Sequence, residues 1–180
     1  MILLTSDVSE YCEKAKDVSS AVYRLLAWAV GEYWSLQCPE IHKQPGGKPY
    51  FPGEKDRFFS LSHTGKRILV GLSRGDLGVD IERIRPLREE LSKRIFSEEM
   101  RAQFDFFEAW TLREAVYKLT GQGSLISMEL KKIDGAVITP YEGVRCRSYY
   151  TVSGHVVSVA AYTNDFPEHI KNIPPEKFLS

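Results

Sequence analysis

Apolar residues recur at intervals of three and four through residues 17–34, the spacing that one face of an amphipathic helix requires. The recurring apolar positions are Val18, Val22, Leu25, Leu26, Ala29 and Tyr33. A short apolar run at 2–5 predicts a strand ahead of this helix. Glycine and proline punctuate residues 35–57, which predicts a long loop.

The pattern then changes to short β-type runs separated by turn-forming residues, over 58–61, 67–73 and 77–82. Beyond Pro86 the helical signals return. Ser97 is a favourable N-cap, and a helix is predicted over 106–120 with Gly121 at its C-terminal stop. Strands are predicted again over 129–133, 136–139, 143–152 and 156–162. An irregular tail is expected from residue 165. Because helices and strands fall in separate blocks, the order favours an α+β fold over a regularly alternating doubly wound sheet.

Charge and composition exclude several classes of protein. The 180 residues include 24 basic and 24 acidic ones, so the formal net charge is zero, which disfavours a nucleic-acid binder that relies on excess positive charge. The sequence has no apolar run of the roughly 20 residues that a membrane span needs, and its first residues lack the basic start of a signal peptide. Three widely spaced cysteines predict neither a zinc site nor a disulfide framework. We therefore expect a cytoplasmic monomer with no nucleic-acid or membrane partner.

Two acids stand on the strand predicted at 77–82. Asp80 and Glu82 are two residues apart, so their side chains project from the same face, while Val79 and Ile81 project from the other face. Neighbouring carboxylates repel each other unless a cation lies between them, and oxygen pairs of this kind suit Mg²⁺ or Mn²⁺. The alternative is a solvated strand end that carries two surface acids.

Further candidate residues lie on the last predicted helix and on two loops. Glu114 and Lys118 are four residues apart on one helix face, where they could also form an ordinary surface pair. Lys48 follows two glycines and precedes a proline, which presents its charge without matching a Walker A loop. Ser62 and His63 end a predicted strand, where their polar groups could receive an anion or simply form a turn.

Four segments taken together resemble the motif series of the Sfp-type 4′-phosphopantetheinyl transferases. They are GKPYF at 47–51, FFSLSHT at 58–64, GVDIER at 78–83 and WTLREAVYKLTGQG at 110–123. The resemblance implies an enzyme of secondary metabolism that transfers the 4′-phosphopantetheine arm of coenzyme A to a serine of an apo acyl or peptidyl carrier protein, releasing 3′,5′-ADP. It also implies two similar α/β halves related by a pseudo-twofold axis. These would be residues 1–83, with the coenzyme A loops and the metal-binding strand, and residues 84–180, with the catalytic helix 106–120.

The resemblance also assigns roles to residues. Acids that match Asp80, Glu82 and Glu114 hold Mg²⁺, with Mn²⁺ as the alternative metal. Groups that contact coenzyme A match Lys48, Ser62, His63 and Lys118. The catalytic residues implied are Glu114, Lys118 and His63. In this chemistry Lys118 neutralises or protonates the leaving phosphate, and Glu114, directly or through a metal-bound water, takes the proton of the serine. Among the departures from the family pattern, Arg113 replaces the usual lysine, and because it directly precedes Glu114 it is expected to point elsewhere.

Other interpretations remain open at this stage. The few basic residues ahead of the first helix motivate a non-catalytic homologue that binds coenzyme A or a carrier. The acidic pair with a lysine motivates a metal-dependent nuclease, although Ile84 stands where that motif would place its lysine. Basic and apolar residues of the 83–94 stretch could dock an acidic carrier, or they could form a solvated helix face with Glu89 and Glu90 as counter-charges.

Overall fold

The computed structural model describes residues 1–179. The strands are β1 (Ile2–Asp7), β2 (His42–Lys43), β3 (Pro49–Tyr50), β4 (Phe58–Thr64), β5 (Arg67–Ser73), β6 (Leu77–Arg83), β7 (Lys131–Ile133), β8 (Ala136–Ile138), β9 (Arg145–Tyr149), β10 (His155–Ala161) and β11 (Lys171–Asn172). The helices are α1 (Ala15–Trp34), α2 (Glu89–Ile95), α3 (Glu98–Gln103), α4 (Phe106–Thr120) and α5 (Glu176–Leu179). Helices and strands occur in separate blocks along the chain, which confirms the predicted α+β class. Among the described residues, no helix is both long and apolar enough to cross a membrane.

The first sheet has the strand order β11-β1-β5-β4. Strand β5 pairs antiparallel with both β1 and β4, while β11 adds to β1 in parallel. Helix α1 covers this sheet with the apolar face that the periodicity predicted, and Leu25, Leu26 and Ala29 are fully buried there. Burial of this face against the sheet is what stabilises α1, because few isolated helices are stable in water.

The second sheet has the order β6-β10-β9, with both pairings antiparallel. Helix α4 packs on β6 and β10 and buries Leu112, Val116 and Leu119 in a core of its own. Its C-terminal end follows the sequence signal. Gly121 adopts the left-handed conformation with φ 64° and its N–H bonds to Tyr117 O, as a C-terminal stop does. Within residues 1–179, Asp105 precedes the helix without a side-chain bond to it.

The two sheets meet where β4 lies beside β6. The hydroxyl oxygen of Ser60 accepts a hydrogen bond from Val79 N at 3.0 Å, and that of Ser62 accepts one from Ile81 N at 3.4 Å. Serine side chains therefore occupy the place that backbone carbonyls would take in a continuous sheet. Strand β6 thus joins the second sheet by its backbone and the first sheet by these hydroxyls. The division of the chain between residues 83 and 84 stays a prediction.

The tail is more ordered than the sequence suggested. Residues expected to be irregular form β11 and α5, because Ile173 N donates to Thr5 O at 2.8 Å and the side chains of Ile173 and Phe178 are buried. A second addition is the short hairpin β2–β3, which lies inside the segment expected to be loop. Both additions depend on contacts with distant parts of the chain, which periodicity does not record.

Candidate active site

The centre of the candidate site is a salt bridge between α4 and β6. The ammonium group of Lys118 donates to Asp80 Oδ1 at 2.7 Å and to Val79 O at 3.1 Å. The same Asp80 oxygen accepts from the Ser62 hydroxyl at 2.6 Å. Only 6% of Asp80 is exposed, so these donors replace the water that its carboxylate would otherwise bind.

A glycine makes this close approach of helix and strand possible. A Cβ placed on Gly78 would lie 2.0 Å from Ala115 O and 2.7 Å from Leu119 N, both of them backbone atoms of α4. Only hydrogen fits in this gap. The glycine of the GVDIER segment therefore sets the distance at which α4 holds Lys118 against Asp80.

Glu82 and Glu114 stand near this salt bridge. Glu82 Oε2 accepts from the Thr64 hydroxyl at 3.0 Å and lies 3.5 Å from the guanidinium of Arg85. Burial raises the pKa of the half-buried Glu114, and the negative charges of Asp80 and Glu82 raise it further, while Lys118 opposes the shift. The carboxylates of Asp80 and Glu82 on β6 are therefore close enough to raise the pKa of Glu114 on α4.

These acids were predicted to hold a divalent metal, and that role stays a prediction. Among the described residues, no group of three or more His, Cys, Asp or Glu side chains is assembled closely enough to form a metal cage by itself. The donor set nevertheless fits Mg²⁺, because all its ligand atoms are carboxylate oxygens. The repulsion that Asp80 and Glu82 exert on Glu114 is of the kind that a bound cation relieves.

A cavity of about 330 Å³ opens beside the salt bridge. One wall is the loop Gly46–Pro49, the other is the C-terminal part of α4, and strand β4 contributes between them. Lys48, Glu114 and Lys118 all line it, so the structure brings these three predicted site residues together. The ammonium group of Lys48 is held by Asp76 Oδ1 at 2.5 Å.

His63 lies on the other face of β4. Side chains alternate along a strand, and since the Ser62 hydroxyl turns to Asp80, the exposed imidazole of His63 projects toward α1. There it lines a second cavity of about 170 Å³ together with Ser19, Val22 and Tyr23. The roles predicted for Ser62 and His63 stay predictions.

The sequence analysis missed several residues that shape the site. Ser60 and Thr64 repeat the position of Ser62 along one face of β4, and this polar alternation was a signal that could have been read. Tyr117 lines the main cavity and lies inside the WTLREAVYKLTGQG segment, but no role was assigned to it. Asp76 had been counted only as a turn-forming residue. Arg113 does point away from the site, as its place beside Glu114 suggested, and it is fully buried.

Comparison with known proteins gives consistent matches. A family model described as the 4′-phosphopantetheinyl transferase superfamily matches residues 76–160. The chain is 29% identical to 4′-phosphopantetheinyl transferase Sfp of Bacillus subtilis (strain 168) over 154 residues, which cover 76% of this chain and 69% of that protein. It is 27% identical to 4′-phosphopantetheinyl transferase ffp of Bacillus subtilis over 175 residues, covering 86% and 78% of the two chains. It is 38% identical to 4′-phosphopantetheinyl transferase AcpT of Escherichia coli (strain K12) over 96 residues, covering 46% and 49%. These matches confirm the resemblance to the 4′-phosphopantetheinyl transferases that the four motifs indicated.

Proposed function

We propose that the protein transfers the 4′-phosphopantetheine group of coenzyme A to a serine hydroxyl of an apo acyl or peptidyl carrier protein and releases 3′,5′-ADP. The observation that carries this function is the Lys118–Asp80 pair, which stands with Glu114 at a cavity that also takes in Lys48. Two ammonium groups and a carboxylate around one cavity suit a reaction in which a hydroxyl attacks a phosphorus atom of a diphosphate. The relatives that match this chain are named for the same transfer.

In the proposed mechanism, the serine oxygen forms a bond to the phosphorus that carries the pantetheine arm, and the bond from this phosphorus to 3′,5′-ADP breaks. Glu114 takes the serine proton, a role that its raised pKa favours because a carboxylate with a higher pKa is a stronger base. Lys118 is oriented by Asp80 and Val79 O, so its remaining N–H can meet the charge that develops on the leaving phosphate. Lys48 contributes a second positive charge.

Asp80, Glu82 and Glu114 are proposed to hold Mg²⁺, or Mn²⁺ in its place. When bound there, the metal would neutralise the diphosphate and lower the barrier to attack by the serine. Where no metal-bound water mediates the transfer, Glu114 itself accepts the proton of the serine hydroxyl. The Ser62 hydroxyl would then make two contacts that matter for the site. It donates to Asp80 and so orients this ligand, and it accepts from Ile81 N and so joins β4 to β6.

The carrier protein is proposed to dock on the segment that follows β6. Arg85 stacks on Phe107, with its guanidinium carbon 5.0 Å from the ring centroid, and reaches Glu82. Ile84 beside it is half exposed. A cation held on an aromatic ring next to an exposed apolar side chain suits an acidic helix with apolar residues, and the docked serine would face the three acids. We further propose that the protein acts as a monomer in the cytoplasm, where its three free cysteines would stay reduced.

We also propose that the fold consists of two related halves. The order β1-α1-β4-β5 recurs as β6-α4-β9-β10, and the paired strands recur too, as β1-β5-β4 and β6-β10-β9. A pseudo-twofold relation between these units would account for the repeat. In this proposal the second half begins with β6, one strand earlier than residue 84, and the family match at 76–160 spans the second unit.

The transfer is tested by incubating the protein with coenzyme A, Mg²⁺ and a panel of apo acyl and peptidyl carrier proteins, followed by mass spectrometry of each carrier. We expect at least one carrier to gain the mass of a phosphopantetheine group. Lys118→Ala should abolish the gain, whereas Lys131→Ala, which removes an exposed lysine paired with Glu99 at 3.1 Å, should not. No gain with any carrier would contradict the proposal. Coenzyme A binding without transfer would instead identify a non-catalytic binding protein, and DNA cleavage would identify a nuclease.

A further inference from the structure

Lys48, the cavity lysine that comes from the hairpin, has an anchor outside the hairpin. Lys48 Nζ donates to Asp76 Oδ1 at 2.5 Å, although the two residues belong to different segments, the β2–β3 hairpin and the turn before β6. The Lys48 side chain is mostly buried, with 17% exposed, so its ammonium group is not simply solvated. The ion pair therefore links the glycine-rich loop to the body of the protein.

Among residues 1–179, the backbone hydrogen bonds of the loop stay inside the hairpin. Its own bonds are Gln44 N to Lys48 O at 2.9 Å and Gly47 N to Gln44 O at 2.8 Å, both inside the hairpin. Gly47 has φ 83°, a left-handed conformation, and a Cβ added there would meet nothing within 4 Å. A lysine on such a loop would sample many positions without a contact that reaches outside the hairpin.

Asp76, in contrast, is fixed by a contact with a residue of the core. Its Oδ1 also accepts from Leu77 N at 2.9 Å, and the Leu77 side chain is fully buried in the core between the sheets. The chain of contacts runs from the core through Leu77 and Asp76 to the ammonium group of Lys48. A second aspartate–lysine pair of the same kind lies on β6, where Asp80 binds Lys118.

We propose that Asp76 is a positioning residue for coenzyme A binding, which fixes Lys48 so that its free N–H groups face the phosphates in the cavity. The inference rests on the proposed function, since it takes coenzyme A as the anion. An ammonium group has three N–H donors, and Asp76 uses one of them, so the pair leaves donors for a phosphate. Asp76 touches neither substrate nor reacting atoms, and it acts through Lys48.

The test compares wild type with Asp76→Ala, Asp76→Asn, Lys48→Ala and the double variant. Coenzyme A affinity is measured by isothermal titration calorimetry, and KM for coenzyme A and kcat are measured with a carrier that the wild type modifies. Asp76→Ala should raise Kd and KM about fivefold, the size expected for loss of a partly buried ion pair, with kcat within twofold. Asp76→Asn keeps an oxygen acceptor for Lys48 and Leu77 N and should recover part of the affinity. In the double variant, Asp76→Ala should add nothing to the effect of Lys48→Ala.

A matched control is Asp56→Ala, which breaks the exposed Arg74–Asp56 pair of 2.7 Å and should leave both constants unchanged. Thermal melting of each variant checks that the fold is intact. Additive losses in the double variant, a fall in kcat alone, or tighter binding in Asp76→Ala would overturn the inference, the last because Asp76 would then compete with the phosphate. An inactive wild type that still binds coenzyme A would count against the transfer, while calorimetry would still test Asp76.

Discussion

The substitution Gly78→Ala tests whether the contact between α4 and β6 creates the site. The added Cβ would lie 2.0 Å from Ala115 O and 2.7 Å from Leu119 N. Neither atom can move alone, because both are part of the helix backbone. Ordinary contact begins near 3.4 Å, so α4 must retreat from β6 by more than 1 Å, carrying Glu114 and Lys118 with it.

Two effects of this retreat can be estimated. Overpacking of a tight interior contact costs about 1–3 kcal/mol of unfolding free energy. The Lys118–Asp80 bond of 2.7 Å and the Lys118–Val79 bond of 3.1 Å would both lengthen beyond hydrogen-bonding range. A misplacement of about 1 Å in a catalytic arrangement lowers the rate by roughly 100-fold. We therefore expect Gly78→Ala to fold with reduced stability and to lose about two orders of magnitude in kcat/KM.

Carrier modification followed by mass spectrometry gives the rate, and urea denaturation gives the stability. The matched control is Gly31→Ala in α1, where an added Cβ meets only Leu36 O at 3.8 Å. A helical glycine replaced by alanine should gain about 0.5–1 kcal/mol, and transfer should stay as in wild type. If Gly78→Ala transfers at the wild-type rate and melts like the wild type, the close helix–strand contact does not set the geometry of the site and the reasoning fails.

Three further substitutions test the carboxylates and the buried arginine. Asp80→Ala should lower transfer at least 100-fold while the far-UV circular dichroism stays native, and wild-type turnover would refute the role given to this acid. Arg113→Leu should cost about 3–5 kcal/mol in urea denaturation, because the guanidinium donates to the carbonyls of Ile95, Leu125 and Ile126 at 2.9–3.1 Å, and a loss below 1 kcal/mol would contradict this. The pKa of Glu114 is raised above its ordinary value of 4.5, so its contribution to stability is full below pH 4.5 and is lost as the pH rises through the native pKa. In EDTA, Glu114→Gln should therefore melt above wild type at pH 7 and less so at pH 4.5, whereas equal differences at both values would refute the shift.

The elements with strong local signals were predictable from the sequence. Helix α1 follows from one uninterrupted apolar stripe, and the C-terminal end of α4 follows from a glycine that can adopt φ 64°. The alternation around Asp80 placed Val79 and Ile81 in the core, where both are buried. Each of these features depends on residues within one turn or one strand, which is the range that periodicity covers.

Contacts between distant segments were not predictable in the same way. The junction of the sheets depends on hydroxyl groups of β4 that meet backbone N–H groups of β6. The sequence had suggested only that the end of this strand receives an anion or forms a turn. The burial of Arg113 depends on three carbonyls brought together from 95 and 125–126. A side chain whose partner is fixed by tertiary structure carries no local pattern, so its role appears only when the fold is known.

The arrangement of charges shows how a protein with no net charge could bind coenzyme A, the polyanion of the proposed function. Lys118 uses two of its three N–H donors in bonds to Asp80 and Val79 O, and Lys48 uses one in its bond to Asp76. Each aspartate compensates the positive charge while the cavity is empty, which reduces the repulsion between the two lysines and fixes their direction. In the proposed function, the donors left over are the ones that would meet a phosphate in the cavity that both lysines line. Local pairing with acids of the 76–80 segment thus gives orientation, which an excess of unpaired basic residues would not provide.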